Sequence, residues 1–195
     1  MNNLNQLFKE YDTIEGWCSE EKAKKMIEYL PSDAQLCVEL GVWGGKSLLP
    51  IAISCKGSVI GIDAWSPDAS LEGSNDHAND EWWKNLDYNH FYNYTQNLLN
   101  KYNCSNTKLW RMKSVEAFLK FENNTIDFLH QDSNHSEEIS CAEVELYYLK
   151  VKPGGIWVFD DANWPTTQKA QELLESKGYT VLYDNTDWKI YKRNT

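Results

Sequence analysis

Four apolar runs in this chain lead into acids: Val38-Glu39-Leu40-Gly41, Val59-Ile60-Gly61-Ile62-Asp63, Ile126 to Asp132, and Ile156 to Asp160-Asp161. Ligands of an open parallel sheet bind beyond the carboxyl ends of its strands, so such acids are expected on one rim. Gathered there they repel one another unless a cation or cationic ligand stands among them. Glu39 and Asp63 suit an ammonium and ribose hydroxyls, while Asp132, Asp160 and Asp161 suit a divalent metal. Any one of them alone also fits a helix cap or a solvated loop. His135 follows Asp132 by three residues. An imidazole with an ordinary pKa of ~6.5 suits a general base, and a loop histidine bonded to backbone is the plainer alternative.

The first run continues through Val42-Trp43-Gly44-Gly45-Lys46-Ser47, a strand that turns on a glycine and reopens into a helix. With Asp63 about twenty residues on, it marks a nucleoside-bearing cofactor on a doubly wound sheet. The glycines depart from the dinucleotide G-x-G-x-x-G spacing, and Glu39 stands where a pyrophosphate needs a neutral neighbour. A cofactor with an ammonium and a sulfonium, S-adenosylmethionine (SAM), fits better.

The elements that must position these residues alternate. Helices are expected at 2–10 and 19–30, then strand 35–40, helix 45–54, strand 58–62, helix 80–101, strand 107–111 and helix 114–120. Strand 126–131, helix 136–150, strand 155–160 and helix 165–177 follow, and 179–183 with 187–192 form a hairpin. Such alternation predicts an α/β fold with a mostly parallel sheet covered on both faces. One domain is expected over 1–195, with an N-terminal helical segment at 1–34 and a lid-like insert at 65–94. The insert is too long for an ordinary strand-to-helix connection of ~2–6 residues. Its Trp82 and Trp83 suit either a lid or core, and its His77 and His90 have weaker catalytic claims than His135. Lys22, Lys24 and Lys25 read as the wet face of a helix, and Ile139, Ala142, Leu146 and Leu149 as the buried face of helix 136–150.

A net charge of −10 argues against a nucleic-acid partner, which needs clustered Lys and Arg. No apolar run reaches the ~18 residues of a membrane span, and the first residues lack the pattern of a signal peptide, so a cytoplasmic protein is expected. Five cysteines without C-x-x-C spacing indicate neither a disulfide framework nor zinc.

Together, Val38-Glu39-Leu40-Gly41 through Ser47, Gly61-Ile62-Asp63, Ile126 through Ser136, and Lys152-Pro153-Gly154-Gly155 through Asp161 resemble class I SAM-dependent methyltransferases. The nearer likeness is to the metal-dependent branch with macrocin-type sugar O-methyltransferases. The resemblance implies a Rossmann-like seven-stranded sheet with a reversed terminal hairpin, and SAM over Gly41 and Gly45. Asp63 then binds ribose and Ser114 lies beside the adenine, with Glu39, Ser47 and Asp132 completing the cofactor set. It also implies Mg²⁺ or another divalent cation on Asp132, Asp160 and Asp161, with His135 as base and Asp132 beside it. The expected reaction is methyl transfer to a hydroxyl of a small molecule, a carbohydrate or other diol. A homo-oligomer is compatible with this reading. An NAD-dependent oxidoreductase and a catalytically silent SAM-binding module are the competing readings.

Overall fold

The fold is that of a computed structural model, which describes residues 3–74 and 77–194, side chains at 77–79 excepted. Asn75, Asp76 and the side chain of His77, all in the insert, lie outside the described residues. Helices α1 (Asn3–Glu10) and α2 (Glu20–Tyr29) precede strand β1 (Leu36–Leu40), helix α3 (Leu48–Ser54) and strand β2 (Ser58–Asp63). Three helices follow, α4 (Pro67–Ser70), α5 (His77–Lys84) and α6 (Tyr88–Lys101), then β3 (Thr107–Arg111), α7 (Ser114–Ala117) and β4 (Ile126–Gln131). Helix α8 (Glu137–Tyr147), β5 (Val151–Phe159), α9 (Gln168–Ser176), β6 (Tyr179–Asp184) and β7 (Lys189–Arg193) complete the order.

The seven strands lie in the order β3-β2-β1-β4-β5-β7-β6. The first five are mutually parallel, and β7 runs antiparallel between β5 and β6. This is the Rossmann-like sheet with a reversed hairpin that the sequence predicts. Alternate strand residues point to opposite faces, so the sheet divides two cores. Cys37, Val59, Phe128 and Val158 pack with α1, α2, α3 and α6 on one side. Val38, Ile60, Leu129 and Trp157 pack with α7, α8 and α9 on the other. No helix among the described residues is long and apolar enough to cross a membrane.

Local chemistry shifts several boundaries. The helix expected over 80–101 breaks in two, because the Asp87 side chain caps α6 by accepting from the His90 N–H at 3.0 Å. Strand β5 begins earlier than expected, taking in Lys152 to Gly155 beside a register shift in β4. Helix α8 turns a different face inward: Ser140, Glu143, Val144 and Tyr147 are buried, whereas Leu149 is exposed. Lys22 reverses its expected role too. It shares the inward face of α2 with Ala23 and Met26, one turn away, while Lys24 stands in solvent.

Register carries the acids to one rim. Leu40 pairs with Ile62 on one side and Gln131 on the other, and Gln131 pairs with Phe159. Just past these pairs the Gly41 N–H donates to the Ile62 carbonyl, Asp132 to Leu40, and Asp160 to Gln131, at 2.8, 2.8 and 3.0 Å.

Candidate functional site

The cofactor side is built by glycine and carboxylate. Gly41 has φ +81°, and a Cβ there would stand 1.9 Å from the Asp132 carbonyl oxygen, so only glycine lets the β1 turn close on the β4 loop. Asp63 Oδ2 accepts from the N–H groups of Val42 and Trp43 at 3.0 and 2.8 Å, and Oδ1 accepts from the Trp65 N–H at 2.6 Å. A carboxylate offers about four acceptor positions, which leaves Asp63 one for a ribose hydroxyl. Burial raises its pKa against these three donors. Gly41, Asp63, Ser114 and Asp132 line a cavity of about 110 Å³.

The insert roofs that cavity. Asn134 Nδ2 donates to the carbonyls of Ala69, Ser70 and Glu72, and Lys113 pairs with Glu72 at 2.7 Å. The lining suits a nucleoside, and at about 110 Å³ the cavity is smaller than ordinary ligand pockets of ~300–1,000 Å³. Trp65 is core, donating its indole N–H to the Trp43 carbonyl at 2.9 Å. Trp83 lines both cavities of the site, and Trp82 the larger one.

Three expected cofactor residues sit elsewhere. Glu39 is fully buried and lines neither cavity; its Oε1 accepts from Ser47 at 2.8 Å and its Oε2 lies 3.2 Å from His130 Nδ1. Burial pushes the Glu39 carboxyl well above its ordinary range and the His130 imidazole well below its own. Glu39 thus faces Ser47 and His130 rather than either cavity. Gly45 lines neither cavity; it makes room for Thr95, whose Cγ2 would stand 2.8 Å from a Cβ there. Ser47 lines the larger cavity with its hydroxyl already given to Glu39.

That larger cavity, about 890 Å³, lies on the opposite side of Gly41 and Asp132. Asp160 and Asp161 both line it but part ways. Asp160 Oδ2 is held by the ammonium of Lys22, which is 3% exposed. Asp161 takes the left-handed conformation, φ +47°, and its Oδ2 lies 2.6 Å from His135 Nε2. The three expected metal carboxylates therefore do not surround one point. Two mixed groups form instead, Asp132 and Asp160 with His130, and Asp132 and Asp161 with His135, each with ligand atoms within 4.8 Å. Mg²⁺ takes oxygen ligands in octahedral array. The first group already holds an ammonium, and in the second the His135 ring stands 2.6 Å from Asp161 and 3.6 Å from Asp132. The expected Mg²⁺ does not fit these residues.

Protonation follows the same geometry. Burial opposes charge on His135, but Asp132 and Asp161 outweigh it and raise the imidazole to about 10. The two acids beside the ring thus favour its charged form over the neutral form that the expected base requires. Burial and then the charge of Asp160 lift the Asp132 carboxyl to about 7. Lys22 and His135, the cations facing it, pull the other way. A base poised near working pH is the efficient one, and Asp132 is raised toward that range.

Sequence reasoning also missed Glu143. This buried carboxylate on α8 accepts from Gln131 Nε2 at 2.8 Å and from the Ser133 hydroxyl, so it anchors the loop that carries Asp132. The available signal was Ser140, Glu143 and Tyr147 at helical spacing, a polar stripe opposite the apolar one. Glu143→Ala takes an acceptor from the buried Gln131 amide and from the part-buried Ser133 hydroxyl, at about 1–3 kcal/mol for the buried donor. A melting temperature at least about 2 °C lower is expected, with reduced turnover. An unchanged melting curve would remove Glu143 from this role.

With the geometry in place, a family described as a methyltransferase domain matches residues 38–162, which include every rim acid. The chain belongs to that family. No curated protein matches its sequence. Among solved structures, a SAM-dependent O-methyltransferase from Thermotoga maritima superposes with TM-score 0.68 at 11% identity, over 97% of this chain and 71% of that one. An O-methyltransferase from Bacillus cereus in complex with SAH gives 0.63 at 14%, over 100% and 91%. An SAH-bound methyltransferase from Podospora anserina gives 0.64 at 12%, over 100% and 89%. The chain thus carries a methyltransferase domain, with the fold of these methyltransferase structures.

Proposed function

We propose that this methyltransferase methylates a hydroxyl oxygen of a small acceptor seated in the larger cavity. One observation carries the reading: the two cavities meet at Gly41, Trp43, Ser133 and Trp164, and Asp132 and His135 are the ionisable side chains common to both linings. When bound, SAM supplies a methyl group already activated on sulfonium sulfur. The residues around it mainly bind, orient and exclude water.

Asp63, Gly41 and Ser114 hold the nucleoside end. Asp132 stands at the junction and accepts the acceptor's hydroxyl proton as the new C–O bond replaces C–S. His135, fixed by Asp161, presents an imidazolium beside the oxygen as negative charge gathers there. The divalent metal implied by the likeness to macrocin-type enzymes has no part in this scheme, because Lys22 holds Asp160.

The acceptor class follows from the walls. Trp17, Trp43, Trp82, Trp83 and Trp164 line the larger cavity together with Asp160, Asp161, Asp187 and Asn163. Trp17 is 72% exposed and packs within 4.7 Å of Trp43 and 5.0 Å of Trp82, between ring centroids. Indole planes beside hydrogen-bonding acids suit a polyhydroxylated ring, apolar on its face and polar at its edge. Sugars, nucleotide sugars and phenols offered with SAM test this. SAH is expected to accumulate with a carbohydrate or other diol; SAH from none of them would leave a silent SAM-binding module.

A further inference from the structure

We infer that Lys22 is the resident cation of this acidic rim, occupying the place a divalent metal would take between Asp132 and Asp160. The inference deepens the catalytic reading above and rests on it for its role in turnover. Ser19 caps α2 by accepting from the Lys22 N–H at 3.0 Å, which fixes where the helix begins. Lys22 then points the same way as Met26, one turn on, but its stem runs past the apolar core to the sheet rim. There its ammonium meets Asp160 Oδ2, the oxygen that also lies 3.9 Å from His130 Nε2.

The charges around it explain the arrangement. Asp160 contacts Lys22 directly, and the charge of Asp132 acts on it as well. A buried ammonium is stable only when paired, and two neighbouring part-buried carboxylates favour a cation between them. Remove Lys22, and Asp132, Asp160 and His130 remain as three ligand groups within 4.8 Å, with Asp160 stripped of its ammonium. That is a cation site, and the lysine closes it. A helix preceding the sheet thus supplies from within the chain the charge that would otherwise be recruited from solution. Lys22 acts through its neighbours, as a positioning residue: it keeps Asp160 ionised and turned away, leaving Asp132 to face the acceptor.

The test is Mn²⁺ binding, followed by electron paramagnetic resonance, to the wild type and to Lys22→Met, which keeps the stem and loses the charge. Calorimetry with SAH runs alongside. The wild type is expected to bind Mn²⁺ at least about tenfold more weakly than Lys22→Met, with similar SAH affinity in both. Lys22→Arg, which restores the charge, should bind Mn²⁺ as poorly as the wild type. Tight Mn²⁺ binding by the wild type, or no gain in a Lys22→Met protein that still binds SAH, overturns the inference. Should Lys22→Met fail to bind SAH, the wild-type titration decides alone: tight Mn²⁺ binding overturns the inference and its absence supports it. Neither readout needs an acceptor, so failure to find one would sink the catalytic reading and leave this result standing.

Discussion

Asp132→Asn is expected to lower kcat/KM by about 10²–10⁴, the usual contribution of a general base, with SAH affinity nearly unchanged. The pH profile identifies the residue. Only the ionised carboxylate accepts a proton, so wild-type activity should fall as pH drops through about 7, where burial and the neighbouring Asp160 place Asp132. His135 contributes as a cation, so activity should fall again as pH rises through about 10. In the residual activity of Asp132→Asn the acid limb should be gone. Were His135 the base, the rate would instead keep climbing up to about pH 10. That outcome would return the role to the histidine.

Asp63→Ala should weaken SAH binding at least about tenfold in calorimetry. The ribose loses a charged acceptor, an interaction worth roughly 1.5–3 kcal/mol. The N–H groups of Val42, Trp43 and Trp65 also lose their partner, so the turn over Gly41 loosens with it. Asp63→Asn, which keeps one acceptor oxygen, should fall between the two. Wild-type affinity in Asp63→Ala would move the ribose site elsewhere.

These residues were legible in the sequence for a definite reason. A buried parallel strand is a continuous apolar run, so the acid that ends the run marks the rim, and Asp63, Asp132 and Asp160 all fall there. What the strand pattern cannot convey is direction beyond the last paired residue. Asp160 and Asp161 are neighbours in the chain, yet the left-handed turn at Asp161 sends one carboxylate to His135 and the other to Lys22. Glu39 looked like a rim acid but lies one residue inside the strand end, where alternation turns it into the core. Lys22 was misjudged because a charge among charges suggested a solvated face. Its spacing to Ala23 and Met26 already placed it inward, and no local rule names an acid more than a hundred residues away as its partner. The buried face of α8 was lost likewise, since Ser140 and Glu143 are polar residues that only Gln131 and the Asp132 loop make worth burying.

The most direct measurement follows the methyl group itself. SAM labelled with ¹³C in its methyl is incubated with the protein and a diol acceptor, and the product carbon is read by NMR. The account predicts a methoxy carbon, formed one for one with SAH and lost together with activity in Asp132→Asn. A methyl on nitrogen, sulfur or carbon, or SAH released with no methylated acceptor, would contradict it.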